Sequence, residues 1–377
     1  MQLTFDPDVE AFRAEFVAFL DEHVPATAAE ALERPKSVSH MPAWARRWQR
    51  LLFDNGWLLP TQPPEFGGRN ATVLQQYVYL EELCQRRIYH SFNPQGVNII
   101  AASLISFGSD EQKQRWAVPI LRAEITASLG MSEPSAGSDL ASLRTKAVRV
   151  DGGWELTGQK VWTSRAHDAQ WGVCLARTDP DAPKHKGITY FLVDMSSPGI
   201  LIRPLREITG AALFNEVFLD GVFVPDEMVV GTVNDGWRLA RTTLANERVA
   251  MAQGTALGNP MEELLAVAAK INLDVAQQDR LARLIITAQV GSLLDQRIAQ
   301  LVVGGQDPGA ESSVRKLIGV RYRQALAEYR MDLTEGAGVV VDNTVYDFLN
   351  TRCLTIAGGT EQILLTLAAE RLLGLPR

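Results

Sequence analysis

A chain of 377 residues, 46% hydrophobic and 21% charged, has the make-up of a soluble globular protein and is too long for one small core, so two or three domains are expected. Its net charge of −7, with no basic cluster, argues against a surface built for nucleic acid or anionic membrane. The acidic, amphipathic start MQLTFDPDVEAF has neither the basic head nor the apolar run of a signal peptide, and no apolar stretch is long enough to span a bilayer, so a cytoplasmic location is expected.

From Asp8 to about Leu121 the pattern is helical. VEAFRAEFVAFLDEHV sets Phe12, Phe16 and Phe19 at three- and four-residue spacing, and Trp44, Trp48, Leu51 and Leu52 repeat the period in the next helix. PPEFGG, from Pro63, then breaks the chain, its prolines disfavouring helix and Gly67 and Gly68 permitting tight backbone. Helices are predicted over Val73–Arg86 and Gln95–Phe107, and a further one from Asp110, the expected N-cap.

The character changes at about Ile125. LRTKAVRV alternates, DGG at Asp151 to Gly153 signals a hairpin, and WELTGQKVWTS, WGVCLART, GITYFLVDM, ILIRPLRE and NEVFLDGVFVP read as strands. From Gly236 the helical period returns, with GGQDPGAES as a loop before SVRKLIGVRYRQALAEYRMDL. The final helix is expected to start at Thr360 as N-cap, with Glu361 near its positive end. Segments 1–124 (helical), 125–235 (mainly β) and 236–377 (helical) thus follow in an order that implies separate layers, not alternating βαβ units.

Cys84, Cys174 and Cys353 are odd in number and far apart, which suggests neither a disulfide framework nor a zinc site, and small buried hydrophobes are expected. The histidines at 23, 40, 90, 167 and 185 form no metal-ligand pattern. His167 lies beside the second of the two segments described next, where it touches a ligand or sits in a surface loop. No GxSxG, Walker or G-x-G-x-x-G arrangement is present.

Two segments carry the chemistry. The apolar run Ile125 to Leu129 feeds MSEPSAGSD (Met131 to Asp139), which packs Pro134, Gly137 and the hydroxyls of Ser132, Ser135 and Ser138 into one turn. Such a turn can aim backbone N–H groups and hydroxyls at a single anion, as a pyrophosphate requires. Downstream, GQKVWTS (Gly158 to Ser164) sets Trp162 beside Thr163 and Ser164, a flat aromatic face next to hydroxyls that suits a planar heteroaromatic ring. Alone, the first is an ordinary turn and the second an ordinary core tryptophan; it is their pairing that points to a cofactor.

MSEPSAGSD followed by GWELTGQKVWTS resembles the two central signatures of the acyl-CoA dehydrogenase family, and the resemblance runs from PPEFGG to LGLPR at the C-terminus. GSDEQKQRWAVPI is similar to another family signature, with Ala123 where glycine is usual. The resemblance implies a multi-domain α+β fold: an all-α N-terminal domain, a central antiparallel β domain and a C-terminal domain of four-helix-bundle type. It also implies FAD as cofactor, with Leu129, Met131, Ser132, Gly137 and Ser138 around ring and pyrophosphate, Trp162 and Ser164 against the isoalloxazine, and Thr360 and Gln362 as C-terminal contacts. Arg248 and Gly358, together with Ser138, match positions near an acyl-CoA substrate.

Desaturating a thioester beside its carbonyl needs a base for the α-proton, polarisation of the carbonyl and a hydride acceptor, which flavin supplies. The family's commoner base lies just before a Gly-Thr pair, and IAGGTEQ places Gly358 there, a departure from the pattern. TTLANERVAMAQG matches the alternative position of isovaleryl- and long-chain-type members with Glu247. On a helix Glu247 shares a face with Met251, Gly254 and Gly258, a small and apolar stripe that would desolvate a carboxylate. Gly358 keeps its backbone N–H, which the family uses to polarise the thioester carbonyl. Arg248 serves the CoA end of the cavity or pairs with Glu247 or Asp235.

The family's Arg-x-x-Phe-Gly motif, whose arginine reaches a neighbouring subunit's flavin, is missing from AKINLDVAQQDRLARL; Arg280 and Arg283 stand at the wrong spacing. A dimer of dimers is expected, in the form of an α2β2 tetramer with a second dehydrogenase-like subunit, and an electron-transfer flavoprotein as electron acceptor in fatty-acid or lipid catabolism. Two other readings stay open on this evidence: a same-fold flavin monooxygenase, and a non-catalytic subunit of a heteromeric dehydrogenase.

Overall fold

The computed structural model describes residues 5–24, 43–86, 88, 91, 93, 95–243, 260–303, 306, 309–334 and 343–376. Its longer helices are α1 (Pro7–His23), α2 (Ala43–Asp54), α3 (Val73–Arg86), α4 (Pro260–Ala268), α5 (Val275–Val303), α6 (Gly309–Leu333), α7 (Asn343–Asn350) and α8 (Glu361–Arg371). The strands are β1 (Ala127–Gly130), β2 (Lys146–Val150), β3 (Gly153–Ser164), β4 (Trp171–Arg177), β5 (Ile188–Asp194), β6 (Ile200–Leu205), β7 (Phe214–Pro225) and β8 (Val229–Val230). They form two compact units, one of α1, α3 and α4–α8, the other of α2, a broken helical stretch over 95–121 and all the strands.

In the helical unit, the phenylalanine stripe of α1 is buried as its spacing predicts, and Phe16 sits with its ring 4.6 Å from that of Tyr79 on α3. Arg13 fastens the pair, with its guanidinium 2.7 Å from Glu82 and 2.8 Å from Glu81. A second core gathers Met261, Leu264 and Ala268 of α4, Leu284 of α5 and Leu326, Tyr329 and Leu333 of α6. The Tyr329 hydroxyl donates to the Gln277 carbonyl at 2.9 Å, so the largest aromatic of that core leaves no polar atom unmet. Thr360 caps α8 as expected, its hydroxyl accepting from Ile363 N–H at 3.3 Å, with Glu361 in the first turn.

In the sheet unit the strand order is β6-β7-β3-β2-β4-β5-β8, with β1 added parallel to β4. The pairing is otherwise antiparallel apart from one parallel contact between Lys146 and Arg177. The DGG signal makes the β2–β3 hairpin, with Gly152 at φ 73° and Val150 opposite Gly153. β5 is buried at each position from Ile188 to Val193, the near-continuous apolar run, broken only by Thr189, of a strand covered on both faces. Gln49 of α2, fully buried, donates to the carbonyls of Ile120 and Leu121 and accepts from Ser91, which ties α2 to the helical stretch.

Three expectations are corrected. The helix predicted from Gln95 runs as a π-helix over Gly96–Ala101 before turning α over Ala102–Phe107. The N-cap at its neighbour is Ser109, not Asp110: Ser109 and Gln112 exchange backbone-to-side-chain bonds of 3.1 Å in a capping box, a reciprocal pair that Asp110 is one residue too late to form. Asp110 instead pairs with Lys113. Of the cysteines only Cys174, on β4, is buried; Cys84 follows the buried Glu82–Leu83 edge of α3 onto its outer face, and Cys353 lies on a 3-10 turn that buries nothing. Among the described residues no helix is long and apolar enough to cross a membrane.

Gly158 sits at a register shift of β3, where an added Cβ would come within 2.7 Å of Thr145 Cα and 2.4 Å of its Oγ1. Since main chain cannot yield cheaply, Gly158→Ala is expected to destabilise the sheet unit by about 1–3 kcal/mol. Chemical denaturation of the variant against wild type measures it; an unchanged midpoint contradicts the packing described.

Candidate flavin site

The two signature segments meet in the sheet unit. β1 delivers the chain into Met131–Asp139, which closes tightly: Glu133 and Ala136 exchange backbone bonds of 3.1 and 3.0 Å around Pro134 and Ser135. From β3, the Val161 N–H donates to the Ser132 carbonyl at 2.9 Å. Beneath this contact lies a buried ion pair, Lys160 Nζ to Glu133 Oε1 at 2.8 Å, with side chains 2% and 4% exposed. Lys160 also reaches the Met131 carbonyl at 3.3 Å, and Glu133 accepts from the backbone N–H of Arg144 (2.6 Å) and Thr145 (2.9 Å). Burial pushes the Glu133 carboxyl up, but the Lys160 charge and hydrogen bond, with the bonds from Thr145 and Arg144, outweigh it and hold the group below the ordinary glutamate value. Neither residue was singled out by sequence reasoning. The signal available was a lysine at an even-numbered position of β3, in step with the buried Trp154 and Leu156, with a glutamate inside the signature turn.

Beyond Lys160 the register slips: Lys160 pairs with Val217 and Thr163 with Asn215, so Val161 and Trp162 together oppose Glu216 alone. In this bulge Trp162 takes φ 59°, a left-handed conformation rare for so bulky a residue. Trp162 is 59% exposed and meets Phe214 in a T-shaped contact, ring centroids 5.9 Å apart at 77°. A strained backbone that presents a large apolar ring to solvent is the mark of a ligand platform.

Around the platform, polar groups are held in place. Ser164, buried, accepts from Gln95 Nε2 at 2.8 Å, which leaves its own O–H to donate. The Thr163 hydroxyl is buried with no hydrogen-bond partner among the described residues. Asn215, fully buried, donates to the Thr163 carbonyl at 3.0 Å and meets His167 Nδ1 at 2.9 Å, so His167, exposed on the 3-10 turn Ala166–Asp168, is a surface-loop residue held to the strand by that bond. Gln95 and Asn215 escaped sequence reasoning because their contacts span 69 and 52 residues respectively.

The structure therefore brings Leu129, Met131, Ser132, Trp162 and Ser164 together. Met131 is buried and Leu129 and Ser132 half-buried, while Gly137 and Ser138 lie exposed on the same turn, with open space where a Gly137 Cβ would be. Asp139 closes the turn outward on Lys184 at 2.9 Å. Gly358, Thr360 and Gln362 belong to the helical unit, at the turn entering α8, where Gly358 and Gly359 take φ 65° and 97°. Glu247 and Arg248, with Met251, Gly254 and Gly258, lie outside the described residues. Arg280 and Arg283 are engaged with Asp332 and Asp279, and Asp235 with Arg238. Among the described residues no cluster could hold a metal ion.

An exposed indole on a strained bulge, a buried hydroxyl awaiting a partner beside it and a serine-rich open turn fit a flat ring joined to a pyrophosphate. The fold sets the class: a chain with a helical unit and a unit of mainly antiparallel sheet that carries the candidate site. The chain belongs to the acyl-CoA dehydrogenase family. Family models match in series, the N-terminal domain over residues 6–124, the middle domain over 128–222 and the C-terminal domain over 234–373.

Among relatives, acyl-CoA dehydrogenase FadE34 of Mycobacterium tuberculosis (strain ATCC 25618 / H37Rv) is 64% identical over 361 residues, 96% of this chain; the chain spans about half (49%) of FadE34's length. Among solved structures, one described as Tcur3481-Tcur3483 steroid ACAD aligns over 100% of both chains, with TM-score 0.85 and 28% identity. The ChsE4-ChsE5 complex from Mycobacterium tuberculosis aligns over 100% of both chains, with TM-score 0.80 and 26% identity.

Three variants have expected outcomes. Trp162→Gly relieves the left-handed strain, about 1–2 kcal/mol, and loses an aromatic contact of about 0.5–1.5 kcal/mol, so thermal stability without flavin changes little. FAD affinity, by fluorescence titration, falls at least about tenfold; a large stability loss or unchanged affinity contradicts the platform. Lys160→Met leaves Glu133 buried and uncompensated, at a cost of about 3–5 kcal/mol. Because the Glu133 pKa is lowered on folding, its contribution is present above the unfolded glutamate value and is lost as pH falls through the folded one. Glu133→Gln should accordingly flatten the acid limb of the stability–pH curve; an unaltered limb contradicts the assignment.

Proposed function

We propose that this chain is a catalytic unit of an FAD-dependent acyl-CoA dehydrogenase that introduces a double bond between the α and β carbons of an acyl-CoA thioester. The observation that carries the reading is Trp162, exposed on its bulge and hydrogen-bonded through its neighbour Val161 to the Ser132 turn. Leu129, Met131, Ser132, Gly137 and Ser138 hold the flavin from the turn, Trp162 and Ser164 hold it from β3, and Thr360 and Gln362 contribute from the start of α8. When bound, FAD supplies the acceptor for the hydride that leaves the β-carbon.

The protein's own residues do the rest. Glu247 takes the α-proton as a desolvated carboxylate, the Gly358 N–H donates to the thioester carbonyl as charge develops there, and Arg248 and Ser138 position the CoA portion. The three-part division at 1–124, 125–235 and 236–377 is the one we adopt for this unit. The neighbour described as a steroid ACAD makes a polycyclic acyl group the first substrate class to test.

The full assembly is an α2β2 tetramer with a second dehydrogenase-like subunit, reoxidised by an electron-transfer flavoprotein. Supporting this are the missing Arg-x-x-Phe-Gly motif, the ion pairs that occupy Arg280 and Arg283, the neighbouring ChsE4-ChsE5 complex, and FadE34, long enough for a second unit of this size.

The test is Glu247→Gln in the flavin-loaded enzyme, followed anaerobically by loss of flavin absorbance with octanoyl-CoA, isovaleryl-CoA and a CoA thioester of a steroid carboxylic acid. Flavin content and thioester binding are expected to persist while the reduction rate falls by at least about a thousandfold. Near-normal reduction overturns the assignment of the base.

A further inference from the structure

The turn that carries Gly358 is gripped from below by a lysine that no step above uses. Lys316 lies on α6, 1% exposed, and its ammonium donates to two carbonyls of the Ala357–Thr360 turn: that of Ala357, in a short contact, and that of Gly359 at 2.9 Å. At its near end the Ala357 N–H donates to the Cys353 carbonyl at 2.9 Å. Gly358 and Gly359 stand at φ 65° and 97°, where glycine is free to enter and equally free to leave, and Ile356 before them is 67% exposed. At its far end Thr360 caps α8, and Glu361 is held by Arg321, again from α6.

The Ala357 carbonyl and the Gly358 N–H belong to one planar, trans peptide unit. Fixing the oxygen on Lys316 therefore fixes the plane and turns the N–H to the opposite side, away from α6. The grip on the Gly359 carbonyl does the same for the Thr360 peptide, so neither the Ala357–Gly358 nor the Gly359–Thr360 plane can flip without abandoning a buried ammonium. A cation on the carbonyl also polarises the amide and strengthens its N–H as a donor. Where a side chain is lacking at position 358, the backbone donor is all the turn can offer the substrate, and its direction is set from Lys316.

We propose that Lys316 is a positioning residue for the desaturation, acting through the Ala357–Gly358 peptide to hold the Gly358 N–H on the thioester carbonyl. This rests on the reading of Gly358 given above. Lys316→Met keeps the length and apolar stem but removes the cation; Lys316→Arg keeps the cation and shifts its donors. Both are made in the flavin-loaded enzyme and compared with wild type by amide hydrogen exchange over 354–363, flavin content, and the rate and KM of flavin reduction by whichever of octanoyl-, isovaleryl- and steroid-acyl-CoA wild type reduces fastest.

In Lys316→Met the exchange of the turn is expected to rise at least about tenfold and the reduction rate to fall about 10–100-fold, with flavin content and KM little changed, since one misdirected donor costs less than its full removal. Lys316→Arg recovers part of both and serves as the readout should the methionine variant not fold. Unchanged exchange in the variants, or a loosened turn with wild-type reduction, overturns the positioning role alone. A wild-type enzyme that reduces none of the three thioesters overturns the dehydrogenase reading and this role with it.

Discussion

Two opposite charges share the interior of the sheet unit at Lys160 and Glu133, 2.8 Å apart and almost wholly out of water. Taking both from solvent costs several kcal/mol per ion, and their attraction offsets that only when the remaining polar valences are met. They are met here by the very segments the pair joins: the Met131 carbonyl in the turn, the Arg144 and Thr145 N–H groups after it, and β3 itself. The turn and the platform strand are separate in sequence, yet neither can move without leaving a buried charge unpaired. Replacing the pair by hydrocarbon would preserve a core. It would not fix this register of turn against strand.

That register allows strain to be kept where it is used. Just after Lys160 the strand bulges, Trp162 turns left-handed and its ring emerges into solvent. A lone exposed tryptophan at such φ would relax elsewhere by a shift of pairing, which a one-residue slip makes easy in a free strand. Lys160 on one side and Asn215, bonded to the Thr163 carbonyl, on the other prevent it. In the helical unit a buried lysine does similar work: Lys316 fixes two glycine peptides whose intrinsic freedom would otherwise blur the direction of a single N–H. In both units a buried cation sets backbone geometry close to residues assigned to the site.

Much of this was legible in the sequence because it is local. The phenylalanine stripe of α1, the span of α3, the DGG hairpin, the strand runs and the Thr360 cap each depend on residues within a turn or two of one another. The signature segments were legible too, since Trp162 and the serine turn are distinctive by composition. The cement between them was not: Glu133 and Lys160 read singly as an ordinary turn acid and an ordinary strand lysine, and only the fold shows them buried together. The bulge was hidden for the same reason, being a property of β3 against β7 and not of either strand. The Asp110 cap failed by one residue because Ser109 completes a box with Gln112, and burial held for Cys174 but failed for Cys84 and Cys353 because exposure depends on which face of a helix or turn is covered.

The central claim is that this platform receives FAD. Its most direct measurement is the visible spectrum and FAD-to-chain ratio of the purified protein, with and without a co-expressed dehydrogenase-like partner, before and after added FAD. Protein-bound FAD, its fluorescence quenched against Trp162, is expected, at full occupancy only in the partnered form. A protein that takes up no FAD in either form contradicts the claim.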